Sequence, residues 1–186
     1  MRSASLKALL LSAGAFLPCV ALAQDINVAW PQGWKVETLG RDAATDGERQ
    51  RAVKADAAGD PEIVVELTHA RLAADHQVNL EGVVGEMRKA VQKNFSQGGY
   101  QSACTRVRGS TLGHLPAAQT TCKITLNGGH VMTQTLVAAA GNGTAWSLSY
   151  AGTAAGYAAH EAEVNGIRAG LAFDGAPVQP SPQQKE

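Results

Sequence analysis

The stretch from Tyr100 to Tyr150 constrains the fold more than any other part of the chain. It holds Cys104 and Cys122, whose midpoint is Gly113, inside the loop-like segment Gly109–Pro116. Strands folding back about that point bring the two cysteines opposite each other, so a disulfide across a hairpin is expected. Beyond Cys122 the chain runs through Lys123–Asn127, a turn at Gly128-Gly129, a strand over Val131–Ala138, a turn at Gly141-Asn142-Gly143 and a strand over Ala145–Tyr150. That succession is a four-stranded antiparallel meander. In its second strand Ala118, Thr120, Cys122, Ile124 and Leu126 share one face, and Gln119, Thr121, Lys123 and Thr125 the other, which points Cys122 toward the core. In its last strand Trp146, Leu148 and Tyr150 share a face suited to packing under a helix. A redox-active pair would need the Cys-x-x-Cys spacing that these cysteines lack.

A structural disulfide requires an oxidising compartment, and the N-terminus signals one. Arg2 and Lys7 form a positive region, Leu9–Leu17 a short apolar run, and Ala21-Leu22-Ala23 a small-x-small cleavage site with Gln24 next. The apolar run is too short to span a membrane. A lipoprotein reading of Cys19 fails because Phe16-Leu17-Pro18 puts no small residue before it. Residues 1–23 are therefore expected to be a signal peptide. Its loss removes Cys19 and leaves an even pair, worth roughly 3 kcal/mol if bonded in a loop of this size. Arg2 and Lys7 also leave, so 16 acidic residues outnumber the remaining basic ones by two. That near-neutrality gives no support to a nucleic-acid partner.

The rest of the chain reads as one α+β domain over residues 24–173. Ile26–Trp30 alternates as a strand, Pro31-Gln32-Gly33 is a tight turn, and Trp34–Leu39 resumes the alternation. Gly40–Glu48 is polar and is expected to be a loop. Arg49–Ala55 is a further strand candidate, Ala57–Pro61 a turn, and Glu62–Thr68 a strand with Ile63, Val65 and Leu67 on one face. His69–Val78 has no period and is expected to be a surface loop. Asn79 caps a helix of about 18 residues, roughly 27 Å long. Leu80, Val83, Val84, Met87, Val91 and Phe95 form its apolar stripe, Arg88, Lys89, Gln92 and Lys93 lie away from it, and Gly98-Gly99 ends it. A second helix spans Ala155–Leu171, with Tyr157, Val164, Ile167 and Leu171 inward. Gly156, Gly166 and Gly170 weaken it, so packing must hold it. Asp174–Glu186, with Pro177, Pro180 and Pro182, is expected to be a disordered tail.

The order of elements, the segment Trp30-Pro31-Gln32-Gly33-Trp34, and the ending Trp146-Ser147-Leu148-Ser149-Tyr150 followed by Tyr157, His160, Val164, Ile167, Leu171 and Phe173 resemble the PsbP-like fold. The resemblance is strongest to its small exported bacterial members, the DcrB-like proteins, and covers Ile26–Phe173. It implies an α/β/α sandwich built on an antiparallel sheet with N-terminal hairpins, a meander and two packing helices. It also implies accessory subunits, adaptors and chaperone-like binders, with no shared catalytic motif to carry over. The cysteine pair is not a general feature of that fold.

The residues themselves offer little chemistry. His69, Asp75 and His76 share a loop, and His160, Glu161 and Glu163 share a helix, but neither set has metal-ligand spacing. There is no Gly-x-Ser-x-Gly elbow. The glycines at 128–129 and 141–143 sit between strands and serve hairpins better than phosphates. No cofactor, metal or catalytic residue is expected. Trp30 and Trp34 are either core at the sheet end or an aromatic contact patch, and at least one belongs to the core. With His69, Arg71 and His76 from the following loop, they make the candidate binding surface. The expected function is an exported periplasmic binding or accessory protein, an envelope adaptor or an immunity-type protein, whose partner is another envelope or exported protein. The alternative is an envelope hydrolase or lipid-handling protein with a cleft between sheet and helix. N-terminal sequencing of the exported chain is expected to begin at Gln24; an acylated Cys19 would contradict this.

Overall fold

The computed structural model describes residues 28–42, 47–73 and 76–173. The expected leader, Ile26, Asp75 and the tail from Asp174 lie outside the described residues. The strands are β1 (Lys35–Asp42), β2 (Gly47–Ala55), β3 (Pro61–Arg71), β4 (Gln101–Cys104), β5 (Arg108–Leu112), β6 (Leu115–Leu126), β7 (Gly129–Gly141) and β8 (Thr144–Thr153). Helix α1 (Leu80–Gln97) joins β3 to β4, and α2 (Ala154–Ala169) follows β8. The strands pair antiparallel in one sheet of order β1-β2-β3-β8-β7-β6-β4, with β5 also paired to β6. Helix α1 lies on β4, β6 and β7, and α2 on β3, β5, β7 and β8. The expected α+β sandwich is the architecture found.

The two helices take opposite faces, as adjacent residues of β6 demonstrate. Ala117 belongs to the main core with Ile63, Val65, Leu67, Val137, Leu148, Tyr157, Val164 and Ile167. Ala118 belongs to a smaller cluster with Val84 and Ala138, against which Leu80 and Met87 pack. Both faces of β6 are thus covered, where the alternation alone assigned it one core face. Helix α1 begins as expected, with the Asn79 side chain accepting from the Gly82 N–H at 3.0 Å. Of the polar residues placed away from its stripe, Arg88 and Gln92 are half-buried, and Gln92 Nε2 donates to the Ser102 carbonyl of β4. Long polar side chains on the flank of a helix can lie along the sheet and keep their tips hydrogen-bonded.

The meander departs from a plain hairpin in one residue. Arg108 faces Gln119, but Cys104 faces Cys122. The first strand therefore takes four steps where β6 takes three, and it splits into β4 and β5 around the extra residue. Thr105 closes the gap: its N–H donates to the Thr121 carbonyl, its Oγ1 accepts from the Thr121 N–H, and its carbonyl accepts from Thr120 Oγ1. Gly109–Pro116 is not a loop, because β5 fills most of it and the turn is only Gly113-His114 between paired Leu112 and Leu115. The disulfide joins Cys104 to a wholly buried Cys122 across Cα atoms 3.9 Å apart.

Three other expectations need correction. Ile26–Trp30 is not a strand over its described part: residues 28–34 form an irregular strap beside α2. Its alternation is satisfied by packing Val28 and Trp30 on the core, and Pro31 has no N–H for a ladder. The described residues of Gly40–Glu48 are strand, since β1 reaches Asp42 and β2 starts at Gly47. Its polar composition is that of an edge strand, kinked near Gly40, where φ is 77°. His69–Arg71 extends β3 instead of opening a loop, because His69 faces the core.

Helix α2 is held at both ends. Thr153 Oγ1 caps it from the Gly156 N–H at 2.9 Å. A Cβ on Gly156 would stand 2.4 Å from the Glu62 carbonyl oxygen, so this glycine permits the contact with β3. At the other end the Arg168 carbonyl accepts from the Gly113 N–H at 2.9 Å. The buried Arg168 guanidinium reaches the Thr111 carbonyl, Gln119 Oε1 and Ser110 Oγ. Among the described residues, no helix is long and apolar enough to cross a membrane.

Replacing Cys104 or Cys122 by Ala is expected to cost about 2–5 kcal/mol in urea unfolding. The double mutant should cost little more, because all three remove one bond. Losses that add, or two free thiols in the freshly purified protein, would contradict this.

Candidate functional site

The densest polar cluster sits where β2, β3, α2 and the strap meet. Lys54 pairs with Ile63 and Ala55 with Pro61, so Glu62 is the extra residue of a bulge. A bulge re-aims its side chain, and Glu62 turns toward α2, with Oε2 2.9 Å from His160 Nε2. One turn on, Glu163 Oε2 lies 3.4 Å from His160 Nδ1. Its Oε1 accepts from Trp34 Nε1 at 2.9 Å and lies 3.5 Å from Lys54 Nζ. Lys54 also donates to the Gln32 carbonyl and stands over the Trp34 ring, 5.9 Å from its centre. Partial burial pushes the Glu163 carboxyl up, but the Trp34 bond, Lys54 and His160 outweigh it and hold the group below its ordinary value. Next to Glu163 is a hollow of about 280 Å³ lined by Ala29, Pro31, Gly166, Ile167 and Gly170.

Both carboxylates and the imidazole are thus engaged with one another or with Trp34 and Lys54. What the arrangement does chemically is bind four chain segments together. Among the described residues, no group of three or more His, Cys, Asp or Glu side chains has the geometry to hold a metal ion.

The sequence-based candidates do not form one surface. Trp34 is buried and Trp30 half-buried, their rings 5.9 Å apart, so both belong to the packing beside α2. His69 is buried with its ring 4.9 Å from Trp146, which in turn packs on Phe173. Neither Trp34 nor His69 offers a contact surface: Trp34 ends the strap and is buried against α2, and His69 lies on the core face of β3. Arg71 is exposed at the end of β3, and His76 is exposed on the connection to α1. His76 lines a hollow of about 500 Å³ with Val78, Asn79, Val83, Glu86 and Met87.

Sequence reasoning passed over a larger feature. Helix α1 covers β4, β6 and β7, and no described element covers the same face of β8, β3 and β2. That open half is floored by Ala145, Ser147, Ser149 and Ala151 of β8 and by Val64, Glu66, Thr68 and Ala70 of β3, all half-buried. On β2 it carries Arg49, Arg51 and Val53, with Arg51 3.8 Å from Glu66. Gln92 leans to β4, so the opposite flank of α1, with Val83 and Met87, borders the open half. Val83 is 39% exposed. The signal in the sequence is the small partner set in β8, Ala-Ser-Ser-Ala, interleaved with Trp146, Leu148 and Tyr150.

The lowered Glu163 carboxyl links stability to pH. A carboxyl depressed by folding contributes fully above its unfolded value, about 4.3, and the contribution is lost as pH falls through the lower folded value. Glu163→Gln is expected to cost about 1–2 kcal/mol at pH 7 and to flatten the loss of stability below about pH 4.5. Urea unfolding between pH 3 and 7 measures both; an unchanged acid limb would contradict the assignment.

Comparison with known proteins agrees with the fold. The solution structure of cyanobacterial PsbP (CyanoP) from Synechocystis sp. PCC 6803 superposes with a TM-score of 0.53 at 11% identity, over 74% of this chain and 80% of that one. The crystal structure of LpqN, involved in cell envelope biogenesis of Mycobacterium tuberculosis, gives a TM-score of 0.48 at 20% identity, over 78% and 81%. No curated protein sequence matches. The PsbP-like fold anticipated from the ordering of elements is the fold of this chain. Residues 25–173 match the family described as a domain of unknown function (DUF4946), and the chain belongs to that family.

Proposed function

We propose that this is an exported, non-catalytic binding or accessory protein of the periplasm, and that its partner is another exported protein seated on the open half of the sheet. The observation that carries this reading is the uncovered face of β8, β3 and β2 beside α1. A sheet face in a sandwich is normally covered, and among the described residues the covering layer stops halfway. Its floor of small side chains leaves room for bulk supplied by a partner, with Val83 and Met87 as an apolar wall and Arg49, Arg51 and Glu66 as a polar rim. Export is supported by the N-terminal pattern of Arg2, Lys7 and Ala21-Leu22-Ala23 and by the disulfide.

The test is capture from an envelope extract by the mature protein, with mass spectrometry, repeated with Thr68→Glu. Thr68 lies mid-face between Ser147 and Arg49, so a carboxylate there meets Arg49 without disturbing the core. The expected result is one exported protein whose affinity falls at least tenfold with Thr68→Glu, while the unfolding midpoint holds and a Lys93→Glu control binds normally. Capture unaffected by Thr68→Glu would place the interface elsewhere. Recovery of lipid or turnover of an ester probe instead would favour a cleft-based activity at the hollow beside His76.

A further inference from the structure

We propose that residues 28–32 form a hinged cover over the flank of α2, opening about Gly33 and latched by Lys54. The segment belongs to no strand, and its backbone bonds, from Trp30 N–H to the Val28 carbonyl and from Trp34 N–H to the Pro31 carbonyl, are internal to the strap. Gly33 takes φ 85°, a conformation glycine adopts freely, directly between the cover and the fixed Trp34. Trp34 is fixed because it is buried and donates to Glu163. Besides the 3.4 Å bond from the Trp34 N–H to the Pro31 carbonyl across the hinge, the cover's polar tie to the described body is Lys54 Nζ on the Gln32 carbonyl at 3.1 Å. Lys54 is itself held by Glu163, which His160 and Glu62 buttress.

The closed cover leaves a space beneath it and carries an unpaired donor. The cover bridges α2 without filling the space beneath, leaving the hollow between Ala29 and Pro31 above and Gly166, Ile167 and Gly170 below. A Cβ added to Gly166 would meet nothing within 4 Å. Independently, the indole N–H of Trp30 is buried and finds no acceptor among the described residues. A buried donor left unpaired opposes the closed state, since opening returns it to water. Packing of Val28 and Trp30 on the core and the Lys54 tie favour closure. Opposed in this way, the segment opens locally without unfolding the sheet. Opening uncovers Ile167 and the core edge beside it.

The experiment is thiol labelling of the mature chain carrying Ile167→Cys under the cover, or Val137→Cys in the deep core as the reporter of global unfolding. The native cysteines are bonded and do not react. Labelling of Ile167→Cys is expected to be at least tenfold faster than that of Val137→Cys. Adding Lys54→Met should accelerate it severalfold, and adding Trp30→Phe, which keeps one aromatic six-membered ring and removes the pyrrole part with its orphan N–H, should slow it. Neither addition should change the ratio of Val137→Cys labelling to global unfolding followed by circular dichroism. Equal labelling at the two sites would overturn the hinged cover. Faster labelling with Trp30→Phe would overturn the role of the unpaired indole.

Discussion

One extra residue between Cys104 and Arg108 sets the register on which the rest of the sandwich depends. A hairpin propagated evenly from Gly113-His114 would oppose Cys104 to Lys123, whose side chain is exposed. The bulge shifts the pairing by one and delivers Cys104 to buried Cys122 instead. The thiol bond and the Thr105 hydrogen bonds then lock β4 and β5 to β6. Strand β6 in turn bears both layers. Ala118 lies in the cluster beneath α1, while Gln119 receives Arg168, and Thr121 is joined through Thr135 to the Tyr157 hydroxyl of α2. Burial pushes the Tyr157 hydroxyl well above its ordinary range, so it stays protonated and bonds to Thr135 as a neutral group.

Much of this was legible in the sequence because the signals were local. Asn79, the apolar stripe and Gly98-Gly99 delimit α1, and the midpoint at Gly113 located the cysteine pair although the bulge that makes it work was not visible. What escaped was set by tertiary context. The adjoining ends of β1 and β2, Gly40–Asp42 and Gly47-Glu48, read as loop because an edge strand needs few apolar residues. Val28 and Trp30 alternate like a strand, but the alternation is met by packing against α2. His69 read as surface because its burial depends on Trp146, more than seventy positions away. The Glu62–His160–Glu163 cluster was half readable: His160 and Glu163 share a helix at i,i+3, but a bulge brings Glu62 to them and no local spacing encodes that.

That cluster illustrates how polar groups are used here. A histidine between two carboxylates invites a catalytic reading, yet Glu163 is committed to Trp34 and Lys54, and the result is a junction of β2, β3, α2 and the strap. Arg168 makes a comparable junction in the last turn of α2 without any carboxylate, through the Thr111 carbonyl, Gln119 and Ser110. Buried guanidinium and carboxylate groups that are fully hydrogen-bonded fix geometry more than they add stability.

The C-terminal half of α2 is consequently held in different ways on its two flanks. At its C-terminal end the Arg168 backbone and side chain both grip β5 and its turn, and Leu171 and Phe173 enter the core. A Cβ on Gly113 would stand 2.3 Å from the Leu171 carbonyl oxygen, so turn and helix end are in direct contact. Along the strap the contact is looser: side-chain bonds, a hollow, and an indole N–H without an acceptor. A sheet cross-linked at the β4 edge and clamped at one end of α2 directs local opening to the strap. The open half of the sheet lies on the opposite face, beside α1. The rigid part of the molecule therefore presents the proposed partner surface, while the proposed cover is separated from it by the full thickness of the sheet. Motion of the strap can then change what α2 exposes without reshaping the surface proposed to bind.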